Sequence, residues 1–280
     1  MNAKTIERRR AAVSDLVDGR ALTARSVLAS ALLGADEPRL PVAALVAVAS
    51  LFGISPGATR TCLWRMVSNG ELVTDNDAGY ALAGHLMERR NRVDDAARPR
   101  DAVDGWDGAW EMAVVSLERR SAAARLELRR AAAALHLGEL REGVWIRPDN
   151  LDPARLPTSR AVLDRQCVHF HRADSDIGTD VVGALFGLDE WARDAGRLVD
   201  SMKGELDAAA LDDQRDSATV TYLFALSVAV VRQLQLDPLL PAVLLPADWP
   251  AATLRDTYRR FDDAFKLLMN DVFRMNHVFR

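Results

Sequence analysis

The stretch GISPGATRTCLWRMVSNG, residues 53–70, decides the fold of the N-terminal part of the chain. Gly53 suits a tight turn, Ser55 is a favourable N-cap, and Pro56 fits the first position of a helix. Apolar residues then recur at helical spacing until Gly70, which ends the pattern. The stretch therefore predicts a turn followed by a well-capped helix.

Two helices are predicted before this one, and a hairpin after it. Ala21–Leu33 and Pro41–Phe52 have helical apolar patterns. Glu71–Thr74 and Tyr80–Leu82 have the composition of short strands, and the polar turn Asp75–Gly79 joins them. A helix–turn–helix followed directly by a hairpin is typical of a winged helix, in which the last helix enters the major groove of DNA.

The predicted third helix has an inward and an outward face. The inward stripe consists of Thr59, Leu63, Met66 and Val67. Arginine on the outward face can bridge guanine O6 and N7, and threonine can reach a base edge or a phosphate. The candidate DNA-binding residues are Ser55, Gly57, Arg60, Thr61, Trp64 and Arg65. The alternative is a three-helix bundle of another function, in which the two arginines are merely solvated.

The middle of the chain has the pattern of a small α+β domain. Strand-like runs at Trp110–Leu117, Gly143–Arg147 and Gln166–Phe170 surround an Ala- and Arg-rich helix at Arg119–Leu137. A ferredoxin-like domain is the expected fold. The preceding segment, Glu88–Asp104, is charged and contains a proline, which favours a solvated linker or a poorly packed helix end.

The C-terminal part is predicted to be helical, with segments at Val181–Leu185, Glu190–Met202 and Ala218–Leu236. The last helix carries a stripe with a seven-residue period, which fits either a core or a dimer seam: Leu254, Tyr258, Phe261, Phe265, Leu268 and Val272. Before it, DPLLPAVLLPADWP (residues 237–250) contains four prolines and many apolar residues. Such a segment is packed and non-helical, and it serves either as a pocket wall or as a brace.

The whole chain is therefore expected to be α+β, mostly α, with three domains: a winged helix-turn-helix at 20–88, a ferredoxin-like α+β domain at 106–174 and a helical effector or dimerisation domain at 178–280. Residues 1–100 hold 14 basic against 11 acidic side chains, and the remainder 22 against 29. This weak basic bias of the N-terminal part is compatible with DNA binding. Two distant cysteines and the absence of a signal-peptide or membrane-spanning pattern favour a soluble, cytoplasmic protein.

Enzymatic and metal-binding motifs are weak. The GxGxxG, P-loop and HExxH patterns do not occur, and no catalytic residue and no cofactor is predicted. His169 and His171 share one face of a strand, with Asp174 and Asp176 beyond them, and two imidazoles near a carboxylate can ligate zinc or iron. Because no third ligand stands at a definite spacing, the pair favours strand-end residues, and no metal is predicted.

Several separated stretches are similar to the PaaX-like family, the repressors of phenylacetic acid degradation. They are TARSVLASALLGADEPRLPVAALVAVASLFGIS at 23–55, MVSNGEL at 66–72, GELREGVW at 138–145, RPDN at 147–150 and DPLLPAVLLPADWP at 237–250. They occur in one order along nearly the full chain, and the last of them is long and unusual. The resemblance implies the three domains described above.

The resemblance also implies a homodimer on an inverted-repeat operator and release from double-stranded DNA by an aryl-acyl-CoA effector. Family members have a more polar helix before the DPLLP segment, with a histidine and arginines. Here LFALSVAVVRQLQL keeps only Arg232, which is the single candidate effector-binding residue. The expected function is a repressor of an aromatic or acyl-CoA catabolic pathway. The alternative is a DNA-binding regulator without a small-molecule effector, which acts through protein partners.

Overall fold

The computed structural model describes residues 23–74, 79–97, 106–152, 154–207 and 217–278, together with residues 13 and 16. This part of the chain is mostly helical with two small antiparallel sheets, which confirms the predicted α+β, mostly α class. It divides into two compact units. The first unit contains the described residues of 1–97, 194–235 and 250–280, and the second unit contains those of 98–193 and 236–249. No described helix is both long and apolar enough to cross a membrane.

The N-terminal part of the first unit contains four helices and a three-stranded sheet. The helices are α1 (Ala24–Gly34), α2 (Val42–Leu51), α3 (Pro56–Ser68) and α4 (Gly84–Ala97). The strands are β1 (Arg39–Pro41), β2 (Leu72–Thr74) and β3 (Gly79–Leu82). They pair antiparallel in the order β1–β3–β2, so a hairpin follows α3 as predicted. Strand β1 was not predicted, because three residues are too few to show alternation.

The segment predicted as a linker or helix end continues α4 as far as Ala97. Arg90 on this helix donates hydrogen bonds to the carbonyl oxygens of Leu33 and Ala35, at 3.1 and 2.5 Å. These carbonyls lie at the end of α1, where the helix leaves its last acceptors without backbone donors. Helix α4 is therefore a packed helix in spite of its charged composition, because Arg90 caps the C-terminal end of α1.

Two long helices of the C-terminal part belong to the same unit, α9 (Ser217–Gln235) and α10 (Ala251–Val278). Phe224 on α9 meets Phe52 edge to face, with ring centroids 4.9 Å apart. Lys266 on α10 contacts Asp36 after α1, with 2.5 Å between nitrogen and oxygen. These contacts hold α9 and α10 against the N-terminal helices.

The seven-residue stripe of α10 is core at the positions that the structure describes. Its buried members are Leu254, Phe261, Phe265 and Leu268, while Tyr258 is half-buried and the side chain of Val272 lies outside the described residues. Residues 178–280, predicted as one helical domain, contribute to both units. The proposed domain boundaries at 20–88, 106–174 and 178–280 stay predictions.

The second unit is built on a four-stranded antiparallel sheet. In chain order its elements are β4 (Trp110–Val115), α5 (Ala122–Ala134), β5 (Gly138–Arg141), β6 (Val144–Pro148), α6 (Pro157–Asp164) and β7 (Cys167–Ala173). The strands lie in the order β5–β6–β4–β7, which with this connectivity is a ferredoxin-like βαββαβ arrangement. The sequence pattern missed β5 and α6, which are short and largely polar on their exposed sides.

The sheet is covered on both faces. On one face, Ala113 and Cys167 pack with Leu128 of α5 and Leu163 of α6. The other face packs against α7 (Thr179–Leu185), the start of α8 (Leu188–Asp207) and the proline-rich segment, which contains a 3-10 turn at Ala242–Leu244. The rings of Trp191 and Trp249 stack at 4.5 Å between centroids. The proline-rich segment is therefore a packed layer of the second unit.

Arg147 fixes this segment from inside the unit. Its side chain is 1% exposed and donates hydrogen bonds to the carbonyl oxygens of Leu135, Pro148 and Leu239 and to Oδ1 of Asn150. Asn150 donates a second hydrogen bond to Leu239, at 3.0 Å. Leu239 has a φ of 52°, which is unfavourable for a branched residue. Two side chains of the RPDN motif thus hold the strained backbone of the DPLLP motif.

Candidate nucleic-acid interface

The start of α3 is determined by local hydrogen bonds. The hydroxyl of Ser55 accepts a hydrogen bond from the backbone N–H of Ala58 at 3.3 Å, as an N-cap does. Pro56 occupies the first turn, where no backbone donor is needed. Gly53 has a φ of 71° in the preceding turn, a conformation that most other residues avoid. The predicted turn and cap are both present.

One face of α3 is buried against α1 and α2, which leaves the opposite face in solvent. Thr59, Leu63 and Met66 are at most 1% exposed, and Val67 packs against the same core. Thr59 places its hydroxyl within this core because it donates a hydrogen bond to the carbonyl oxygen of Ser55 at 3.0 Å. The inward stripe predicted from the sequence is thus observed, and it determines which side chains face outward.

All six candidate DNA-binding residues lie on the exposed surface of α3 and its cap: Ser55, Gly57, Arg60, Thr61, Trp64 and Arg65. The side chain of Trp64 is 67% exposed, so a large apolar surface lies in solvent on this face. Helix α3 contains two arginines and no acidic residue. Within the described residues neither arginine takes part in an ion pair. The face therefore offers two uncommitted positive charges and an apolar surface.

The hairpin is braced against the start of α1 by an ion pair that the sequence pattern did not reveal. Arg25 donates hydrogen bonds from Nη2 to Oε1 of Glu71 at 2.6 Å and from Nε to Oε2 at 3.0 Å. The side chain of Glu71 is 8% exposed and that of Arg25 is 48% exposed. Hydrogen bonding from Arg25 lowers the pKa of Glu71 below its usual value, against the effect of burial. Of the predicted hairpin turn, only Gly79 lies within the described residues.

The candidate effector residue Arg232 lies half-buried in the last turn of α9, in the first unit. Its neighbour Arg89 on α4 is also half-buried. Burial lowers the pKa of Arg89, and the positive charges of Arg92, Arg232 and Arg25 lower it further. Several guanidinium groups therefore share one region of the first unit.

The second unit contains a cavity of about 610 Å³, beside the proline-rich segment. It is lined by residues of α7, the first turn of α8 and the backbone around the 3-10 turn. Among the described residues that line it, the charged ones are Asp180 and Asp189, and none is a lysine or arginine. The cavity therefore disfavours the phosphates of an anionic ligand.

The structure brings a carboxylate to the histidine pair, but it is neither Asp174 nor Asp176. Glu111 on β4 is the third member of the group, and one ligand atom from each of Glu111, His169 and His171 lies within 4.8 Å of the others. Pairing of Ala113 with His169 between β4 and β7 creates this proximity. Strand pairing joins residues far apart in the chain, so no spacing motif could have indicated Glu111.

Two matches to family models cover the N-terminal and middle parts of the chain. Residues 23–86 match the PaaX-like protein model, and residues 103–181 match the model of the PaaX protein central Cas2-like domain. No curated protein matches the chain. The solved structure of the uncharacterized protein Rv0674 from Mycobacterium tuberculosis is similar, with 37% identity and a TM-score of 0.62 over 90% of this chain and 99% of that one. The two domain matches, together with this likeness over 90% of the chain, show that the chain belongs to the PaaX-like family, whose members are DNA-binding regulators.

Proposed function

We propose that the protein is a transcriptional repressor that reads double-stranded DNA with α3 and uses its β2–β3 hairpin as a wing. The observation that supports the proposal is the exposed face of α3, which has an exposed tryptophan, no acidic residue, and two arginines that form no ion pair within the described part of the chain. A helix with its opposite face in the core presents such side chains rigidly. Rigid presentation favours base recognition, because the geometry of bidentate hydrogen bonds is narrow.

Each side chain on this face is assigned a role. Arg60 and Arg65 bind guanine edges or phosphates, and Trp64 packs on a sugar or base where its apolar surface leaves water. Thr61 already donates a hydrogen bond to the carbonyl oxygen of Gly57 at 3.0 Å, so its hydroxyl is an acceptor for DNA contacts. Ser55 and Gly57 lie at the helix start, where exposed backbone N–H groups favour a phosphate.

The proposed active form is a homodimer on an inverted repeat. A two-fold axis places two copies of α3 in successive major grooves, with half-sites about 34 Å apart. The test is selection of bound sequences from a random duplex library by the purified full-length protein. An enriched inverted repeat with half-site centres one helical turn apart supports the dimer, and failure to enrich any sequence rejects the DNA-reading function.

The roles on α3 are tested on the enriched sequence by fluorescence anisotropy across a salt series. Arg60→Ala or Arg65→Ala weakens binding by about 1–3 kcal/mol with relaxed specificity if the arginine contacts a base, and reduces the salt slope by about 1 if it contacts a phosphate. Arg141→Ala, on an exposed strand residue of the second unit, is the matched control. Equal affinity of all three variants and the wild type contradicts the assignment.

The effector is proposed to be an aryl-acyl-CoA that binds in the first unit, with Arg232 among its contacts. The guanidinium groups near Arg89 favour phosphates, whereas the carboxylates lining the cavity of the second unit repel them. An effector releases DNA only if its affinity for the free and DNA-bound forms differs. Loss of DNA affinity on adding phenylacetyl-CoA, abolished in Arg89→Ala, supports this proposal. Unchanged affinity favours the alternative of a regulator that acts through protein partners.

A further inference from the structure

We propose that Glu111, His169 and His171 form a binding site for a divalent transition metal ion of the zinc class in the second unit. One ligand atom from each side chain lies within 4.8 Å of the others. Ligand atoms about 2.1 Å from a tetrahedral Zn²⁺ lie roughly 3.4 Å from one another. Small side-chain rotations that move the ligand atoms by roughly an ångström therefore bring all three into the coordination sphere of one ion. The inference is independent of the proposed DNA-reading role of α3.

The backbone holds the two histidines in a suitable orientation. They stand two residues apart on β7, so their side chains leave the same face of the sheet. Their rings are nearly parallel, with 12° between planes and 6.2 Å between centroids. Neither nitrogen of His169 makes a hydrogen bond within the described residues, although the ring is only 15% exposed. Buried polar atoms are normally hydrogen-bonded, so a nearly buried imidazole without a hydrogen bond is expected to have another partner, and a metal ion is one.

A second carboxylate lies beside the first histidine, although it makes no hydrogen bond with the ring in this conformation. Nε2 of His169 lies 3.2 Å from Oδ1 of Asp164 on α6, and Nδ1 lies 3.8 Å from Oε1 of Glu111. If Nε2 carries the proton towards Asp164, Nδ1 is left with its lone pair towards Glu111 and the ion. Metal-binding histidines usually have such a carboxylate partner on the opposite nitrogen. His171 is exposed, so the ion has a path from solvent.

The donor set selects the kind of metal. Two imidazoles and one carboxylate favour Zn²⁺, Co²⁺, Ni²⁺ or Cu²⁺ over Mg²⁺ and Ca²⁺, which prefer oxygen ligands. Three protein ligands leave at least one coordination position for water or an exogenous ligand.

Arg160 competes with a metal ion for the carboxylate of Glu111. Its Nη1 contacts Oε1 of Glu111, and its Nη2 lies 3.4 Å from Oε2. A dication on Glu111 must displace this guanidinium or share the carboxylate with it. Removing the positive charge of Arg160 therefore raises metal affinity, whereas removing a ligand lowers it.

The experiment is calorimetric titration of the tag-free full-length protein with ZnCl₂. One ion per chain is expected, with affinity at least tenfold lower in His169→Ala and in His171→Ala, and higher in Arg160→Gln. His85→Ala in the first unit is the matched control and leaves the affinity unchanged. Because His171 is exposed, its replacement does not threaten folding, and Co²⁺ titration gives a second readout through visible absorption bands that weaken in the same variants. Absence of Zn²⁺ binding, or equal affinity of the histidine variants and the wild type, overturns the proposal.

Discussion

Replacing Arg147 by methionine tests whether the buried arginine holds the proline-rich segment in place. Methionine fills much of the same volume without donating hydrogen bonds. In Arg147→Met, the carbonyl oxygens of Leu135, Pro148 and Leu239 and Oδ1 of Asn150 lose a charged donor. All four acceptors lie in the interior or beside it, where water replaces the donor poorly.

The expected loss follows from two opposing effects. Hydrogen bonds to a charged group contribute about 1.5–3 kcal/mol each, so four of them give an upper bound of about 6–12 kcal/mol, comparable with the whole stability of a typical domain. Burial of the cation offsets part of this, and the same desolvation lowers the pKa of Arg147 to about 9. A buried acceptor left without its donor costs about 1–3 kcal/mol, and relief of the cation's desolvation offsets part of the sum over the four acceptors. The predicted decrease in the free energy of unfolding is therefore roughly 3–5 kcal/mol.

The assay is urea unfolding of the full chain followed by tryptophan fluorescence. Five of the six tryptophans belong to the second unit, so the signal reports mainly on the unit that contains Arg147. Arg141→Met, which changes an exposed arginine on β5 of the same sheet, is the control and shifts stability by no more than about 0.5 kcal/mol. A loss in Arg147→Met no larger than in the control would refute the reasoning that the RPDN and DPLLP motifs are joined through this side chain.

Three further predictions concern the first unit and are measured by far-UV circular dichroism during denaturation. Ser55→Ala removes the N-cap of α3 and costs about 1 kcal/mol, whereas a cost near zero shows that the cap is dispensable. Gly84→Ala places a Cβ 2.6 Å from the carbonyl oxygen of Gly70 at a φ of 50°, and it lowers the free energy of unfolding by about 1–3 kcal/mol. The control Gly34→Ala, which has open space around it, leaves the free energy of unfolding unchanged, and equal effects of the two substitutions contradict this prediction. The lowered pKa of Glu71 stabilises the fold fully above its unfolded value near 4.5, and this contribution disappears as the pH falls through the folded pKa. The stability difference between wild type and Glu71→Gln therefore narrows below about pH 4.5, and a difference constant down to pH 3 excludes the Arg25 pairing as its source.

The fold could be predicted where local signals determine it. The cap at Ser55, the turn at Gly53 and the apolar periodicity of α3 act within a few residues, so the predicted helix and its outward face agree with the structure. The short strand-like runs at β4 and β6 predicted two strands of the middle sheet for the same reason. Strand β1 and strand β5 were missed because three or four residues carry too little pattern.

Interactions between distant residues could not be predicted in this way. Arg25 pairs with Glu71, and Arg90 caps α1 from α4, yet in the sequence each is simply another surface arginine. Glu111 joins His169 only because β4 and β7 are neighbours in the sheet. Whether a charged residue is buried or exposed depends on which segments of the chain pack together. Local patterns in a single sequence do not predict that packing.

The stripe on α10 shows how the structure narrows the proposed dimer. The sequence left two readings open, a core or a helix–helix seam. Phe261 and Leu268 are buried within the first unit, and Phe261 is 1% exposed. A seam would have to withdraw these side chains from their present neighbours and expose the core they fill, at about 3–5 kcal/mol for a phenylalanine of this burial. The described part of the stripe is therefore not the expected seam of the proposed homodimer, and a phenylalanine substitution there is expected to destabilise the monomer fold rather than selectively dissociate the dimer.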